Sequence, residues 1–284
     1  MEYSDISSVR DGRILLRDRD LVDEVIGHLS FTQGIHLAIL GQLPSPAEAR
    51  VLDAVLVSLI DHGVTSSTLA ARLTIGAAPE ALQGAIAAGV LNSGGRVLGA
   101  MEGCGRLLVE WAPTAGAEGV DAAAAELVRT QREAGRRIPG MGHAQHEEGD
   151  ERARRLFEYA RSEGVAAVHV ELLSAVEREL EEQSGRYLPI NVTGGIAAVL
   201  LDLGYPVGIL RGFGILSRVP GLIAHLSDEM EGGTGRRLVR QLQQEGAPAV
   251  RQTRLHPGYP AAVAGVEAVP RAGGAPEGPR TWDA

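Results

Sequence analysis

The chain has 284 residues, of which 44% are hydrophobic, 22% charged and 4% aromatic, enough for one large domain or two smaller ones around an adequate core. Its 27 basic residues against 36 acidic ones leave a formal charge of −9, a balance that repels polyanions and argues against nucleic acid as a partner. Every basic residue is arginine; without lysine, Schiff-base aldolase chemistry, pyridoxal phosphate attachment and the P-loop are excluded. Any anion site must then use arginine forks, backbone N–H groups or helix N-termini. The single Cys104 excludes an intramolecular disulfide and a cysteine-rich metal site. No apolar run reaches the roughly 18–20 residues of a membrane span and the start lacks a signal-peptide layout, so a cytoplasmic protein without a membrane partner is expected.

In chain order, Gly12 to Arg17 reads as a short hairpin strand, followed by a helix at about 20–29. Ser45-Pro46-Ala47-Glu48 is a capping box with proline at the first helical position. Val51, Leu52, Val55, Leu56 and Leu59 then keep the spacing of one buried helical face. Gly63 stands where a closing glycine belongs, which would leave His62 on the last turn. Further helices are predicted at about 66–75, 79–91, 121–136, 151–163, 166–183, 190–203, 219–229 and 235–245. Period-2 alternation is nearly absent, so the fold class is all-α. From about residue 255 the chain is rich in Pro, Gly and Ala without periodicity, as in an extended or flexible tail over 255–284.

Three stretches place titratable residues inside apolar helical sequence. In Asp61-His62-Gly63-Val64-Thr65-Ser66-Ser67-Thr68, the histidine either meets a ligand or rests on a helix C-terminal dipole, and the hydroxyls cap the next helix. In Ile138-Pro139-Gly140-Met141-Gly142-His143, the glycines let a ligand approach the backbone closely. His143, His146 and Glu147 have zinc-like spacing, but no third distant ligand accompanies them, and no metal is expected. In Tyr187-Leu188-Pro189-Ile190-Asn191-Val192-Thr193-Gly194-Gly195, either Asn191 or Thr193 would cap a helix whose N-terminus faces a substrate. Downstream, Arg218 stands between apolar residues, and a buried arginine requires an anion from the protein or from a ligand.

Together and in this order, the segments resemble the citrate synthase superfamily, and among its members the citryl-CoA lyase module of ATP-citrate lyase. DHGVTSSTLAAR is similar to the segment whose histidine binds a keto or hydroxyl oxygen, which falls on His62. IPGMGHA resembles the family's glycine-rich loop, placing a catalytic histidine on His143 and backbone contacts to coenzyme A on Pro139, Gly140, Met141 and Gly142. Asp150-Glu151-Arg152 keeps the outer two residues of an Asp-Pro-Arg triplet, and SRVPGLIAH resembles the segment of a second arginine, so Arg152 and Arg218 would bind carboxylates. Arg254 in TRLHPGYP is the nearest match to a last substrate arginine. GGRVLGAME lacks the enol-stabilising histidine of the synthases, as the lyase module does. Thr193 occupies the position of the catalytic aspartate, and a hydroxyl is far too weak a base to deprotonate a thioester methyl group.

The resemblance implies a large helical domain, 1–104 with 206–254, and a smaller inserted helical domain, 105–205. It also implies a homodimer, or a higher homo-oligomer, that acts on a small di- or tricarboxylic acid and an acyl-CoA, with the coenzyme A thioester as co-substrate. The expected activity is C–C bond formation or cleavage between an acyl-CoA and a keto acid such as oxaloacetate. Two alternatives follow from Thr193: altered lyase, decarboxylase or hydrolase chemistry on a related acid, or a non-catalytic homologue that binds a carboxylate or coenzyme A.

Overall fold

The computed structural model describes residues 6–95, 98–142 and 149–245. His143, His146, Glu147, Arg254 and the segment 255–284 lie outside the described residues.

The described chain opens in an antiparallel meander of β1 (Ser7–Arg10), β2 (Arg13–Leu16) and β3 (Arg19–Asp20), with Val9 opposite Ile14. Asp11 and Gly12 both take positive φ, 51° and 78°, as a two-residue primed hairpin turn demands. The helix expected at about 20–29 is not formed. Asp20 accepts the N–H groups of Val22 and Asp23 to start one π-helical turn, Leu21–Val25, and Gly27 at φ 81° then redirects the chain. The next helix, α1 (Phe31–Leu40), was not anticipated from periodicity; a reciprocal Ser30–Gln33 capping box opens it and left-handed Gly41 closes it. The Arg17 guanidinium donates to the Ala38 and Ile39 carbonyls at its end, which ties the meander to α1.

Helix α2 (Pro46–Ser58) forms as its capping box predicts, burying Val51, Leu52 and Val55. It stops at Ser58, so His62 stands beyond it in an exposed loop and not on its last turn. A third reciprocal box, Thr65 with Thr68, opens α3 (Ser66–Ala77), and α4 (Leu82–Leu91) follows. Helices α5 (Gly99–Glu118), α6 (Val120–Glu133), α7 (Glu151–Ser162), α8 (Val168–Ser184), α9 (Val192–Asp202), α10 (Leu210–Gly232) and α11 (Thr234–Glu245) complete the described chain. The chain divides after Leu238 into two units, and of the second the described residues are the end of α11.

Helices α5 and α10 depart most from expectation. Gly99, Gly103, Gly105 and Pro113 disguise α5 as a loop, yet they serve packing: a Cβ at Gly105 would sit 2.5 Å from Leu210 Cδ1. Helix α10 was expected to open near Pro220 but begins at Leu210 and runs through that proline. With its preceding 3₁₀ turn, Val207–Gly232 is long and apolar enough by composition to cross a membrane, contrary to the sequence expectation. In the fold it is a core helix that buries Phe213, Gly214, Ser217, Arg218 and Leu222.

Two apolar clusters hold the first unit. The larger unites α2 with α5–α9; the smaller joins Ala71 and Ile75 of α3, Ala85 of α4, and Leu222 and Leu226 of α10. Helix α9 is apolar all round, and Val192 and residues 194–201 are buried among α2, α5, α7 and α8. That burial fixes its N-terminus, where Val192 is buried and Asn191 and Thr193 stay partly exposed.

Candidate active site

The glycine-rich loop is laid against the chain entering α9. Met141 pairs with Ile190 as an antiparallel bridge, Gly142 N–H donates to the Pro189 carbonyl at 2.6 Å, and Asn191 N–H donates to the Gly140 carbonyl at 2.9 Å. Asn191 Nδ2 adds a bond to the Gly142 carbonyl at 2.9 Å. Gly140 has φ 86°, and a Cβ there would lie 2.9 Å from both Cys104 Sγ and Gly194 Cα. Only glycine at both 140 and 194 allows this approach. Glu177 Oε1 accepts Ile190 N–H at 2.7 Å from the other side; burial pushes its carboxyl up against the opposing pull of that bond.

Asn191, not Thr193, caps α9. Its Oδ1 accepts Gly194 N–H at 3.1 Å and the Thr193 hydroxyl at 2.6 Å. Thr193 therefore spends its proton on the cap and offers only hydroxyl lone pairs. Asp150, the N-cap of α7, reaches the same junction: its Oδ2 accepts Val192 N–H at 2.9 Å. Arg152 grips both Asp150 oxygens, Nε and Nη2 each at 3.0 Å. Burial alone would raise the Asp150 pKa, but the Arg152 and Val192 bonds outweigh it and hold the carboxyl below the usual range.

Arg218 stands on α10. It is 6% exposed, and its Nη1 is buried with no hydrogen-bond partner among the described residues. Burial pulls its pKa down, the charge of Asp61 resists that pull, and the positive charge of Arg152 adds to it. The two arginines expected to bind carboxylates thus stand close enough to feel each other, with Asp61 of the His62 loop beside them. Asp61 offsets part of the cost of burying this cation, and the unanswered Nη1 remains a donor for a further anion. Arg152 also opens onto a cavity of about 550 Å³ between α2 and α7, whose wall includes Arg155, Ser58 and Tyr159.

Of the residues singled out from the sequence, Pro139–Gly142 and Thr193 meet at the α9 junction, Arg152 joins that junction through Asp150, Arg218 on α10 lies within electrostatic range of Arg152, and His62 stands on the loop next to Asp61. Sequence reasoning missed Asp150 as the link between Arg152 and α9, and it missed Asp61 with His225, whose Nε2 lies 3.0 Å from Asp61 Oδ1. Asp61 directly precedes His62 and His225 closes SRVPGLIAH, so both lay inside motifs already noted. Among the described residues no cluster of three metal-ligating side chains occurs.

The fold is helical apart from the N-terminal meander, and the candidate site brings two arginines, one of them buried, within electrostatic range of each other. Residues 10–241 match the model of the citrate synthase C-terminal domain, and the chain belongs to the citrate synthase family. The fold matches that of a citryl-CoA lyase from Hydrogenobacter thermophilus with a TM-score of 0.75, at 34% identity, over 81% of this chain and 87% of that one. An ATP citrate lyase from Methanosaeta concilii, solved in complex with (3S)-citryl-CoA, shares the fold at 23% identity and a TM-score of 0.67 over 81% of this chain and 39% of that one. Citrate synthase 2 of Bacillus subtilis is 27% identical over 70% of this chain. The chain spans about half of that relative's length, 51%.

Proposed function

We propose that the protein is an enzyme of C–C bond chemistry that works in the cleavage direction, splitting a citryl-CoA-like thioester into a keto acid and an acyl-CoA. The observation that carries this reading is Arg218, a buried guanidinium with an unpartnered Nη1 within electrostatic range of Arg152. Arg218, together with the N–H groups of Arg152 that Asp150 does not engage, suits two carboxylates of one small acid. The likeness to the Hydrogenobacter citryl-CoA lyase over most of both chains supports the choice of thioester.

In this reading a base takes the proton of the tertiary hydroxyl, the C–C bond electrons pass into the thioester as an enolate, and the carbon that bore the hydroxyl becomes the ketone of oxaloacetate. The enolate then takes a proton at carbon to give acetyl-CoA. His62 would hold the oxygen that becomes the ketone and His143 would exchange the proton, roles that histidine fills near neutral pH. The backbone of residues 139–142, pinned by Asn191, would hold the thioester.

Thr193 favours cleavage over synthesis. Removing a methyl proton from acetyl-CoA needs a carboxylate-strength base, and losing one typically costs about 10²–10⁴ in rate. Protonating an enolate needs only a weak acid such as water, which the Thr193 lone pairs can orient. Arg254 would complete the carboxylate clamp. We further propose the 105–205 segment as a small domain that closes on the larger one, a homodimeric assembly, and a cytoplasmic setting.

Purified protein incubated with citryl-CoA should release acetyl-CoA and oxaloacetate, followed by mass spectrometry, and His143→Ala should abolish the release. Absence of turnover in the wild type would overturn the lyase reading. Citrate binding without turnover would instead support a non-catalytic homologue.

A further inference from the structure

A chain of polar side chains runs from the His62 loop into α3 and α10. His225 Nδ1 accepts from the Arg72 guanidinium, at 2.8 Å from Nη2 and 3.3 Å from Nε. A guanidinium only donates, so the ring carries its N–H on Nε2, which donates to Asp61 Oδ1 at 3.0 Å. Asp61 Oδ2 accepts Gly63 N–H at 2.8 Å. Arg72 is fixed in turn by Asp228 Oδ2 at 2.6 Å and by buried Glu229 Oε2 at 3.1 Å, and Glu229 takes the N–H of Gly235.

His225 lies two turns after Arg218 on the same face of α10. Between them Gly221 lets the chain at Ile60–Asp61 cross the helix directly: a Cβ there would collide with the Ile60 carbonyl and stand 3.2 Å from Asp61 Oδ1. A carboxylate is therefore held within about one turn of a buried guanidinium whose Nη1 has no partner. Left to itself, a carboxylate in that place would fork onto the arginine. Asp61 does not; both its oxygens are engaged elsewhere, by His225 and by Gly63.

We infer that His225 is a positioning residue whose bond holds Asp61 off Arg218, keeping that guanidinium open for a ligand carboxylate. Arg72 orients the imidazole for this task by occupying Nδ1. The inference rests on the reading of Arg218 as a carboxylate clamp. It separates two roles that a single contact would otherwise blur, bracing α10 against α3 and restraining a competing anion.

Two substitutions divide those roles. His225→Gln carries an amide N–H out to the position of Nε2 and keeps the donor to Asp61, whereas His225→Asn ends near Nδ1, where its oxygen can still accept from Arg72 but its N–H falls short of Asp61. Citrate binding, followed by calorimetry on full-length protein, should stay within about threefold of wild type in His225→Gln and weaken by roughly tenfold in His225→Asn. Adding Asp61→Asn to His225→Asn should restore most of the lost affinity, because the competing charge is gone. Equal affinities for the Gln and Asn variants, or a double variant no better than His225→Asn, would overturn the inference. The ligand-free crystal structure of His225→Asn decides independently of binding: Asp61 should be found on Arg218 Nη1, and an unmoved Asp61 overturns the inference. A wild type that binds neither citrate nor citryl-CoA would sink the clamp reading, and that crystal structure would still decide the role of His225.

Discussion

The entry to α9 and the surroundings of Arg218 handle polar groups in opposite ways. At α9, Val192 N–H is taken by Asp150, Gly194 N–H and the Thr193 hydroxyl by Asn191, and the Asp150 oxygens by Arg152. At α10, a guanidinium is buried with one nitrogen unanswered, and the nearby carboxylate is tied elsewhere. The first pattern makes a rigid support that asks nothing of a ligand. The second carries a desolvation cost that a ligand anion would relieve. In the proposed function this separates the frame that sets geometry from the group that would bind the ligand, and only the frame is self-sufficient.

The contrast can be broken at either end, and the effects should rank accordingly. Gly140→Ala attacks the frame: it forces a side chain into left-handed backbone and against Cys104 and Gly194. A loss of about 3–4 kcal/mol is expected, seen as a fall in Tm of roughly 10 °C. An unchanged Tm would mean that the loop and α9 are not in this close contact.

Asp150→Asn should be next, costing about 2 kcal/mol at pH 7 because Arg152 loses its ionic partner. Its pH dependence has a definite sign. The folded Asp150 carboxyl lies below its ordinary value near 3.8, so it contributes stability that is present above that value and lost as pH falls through the folded pKa. Denaturant titrations should therefore show the wild-type advantage over Asp150→Asn shrinking below about pH 4. An advantage constant down to pH 2 would mean that the carboxylate charge is not what stabilises.

Arg218→Met should have the smallest effect on stability and the opposite sign. Replacing a buried guanidinium whose Nη1 has no partner by an apolar side chain of similar length should stabilise the ligand-free protein by about 1–2 kcal/mol while abolishing citrate binding. Loss of stability would indicate that Arg218 has a protein partner in solution.

Much of the helical order was legible because its signals are local. The Ser45–Glu48 box needs only adjacent residues, and it opened α2 where expected. The α5 glycines misled because their reason is distant: Gly105 makes room for Leu210 and Val207, contacts that no window on the sequence contains. Pro220 misled in the other direction, since a proline that usually opens a helix lies within one here. The site divides similarly. Arg218 was readable, for an arginine among apolar residues poses its own question. Asp150 and Asp61 were not, because the first works through Val192 and the second through His225, each far off in the chain.

The packing of Gly140 on Cys104 gives the protein a built-in clock. The chain's single thiol is fully enclosed beneath the glycine-rich loop, and burial pushes its pKa up to about 12. While the junction is shut, the sulfur is neither accessible nor ionised, so an alkylating reagent can reach it only during an opening. The labelling rate of Cys104 thus counts how often the loop lifts from α9, and a ligand that seals the site would slow it without touching the sulfur.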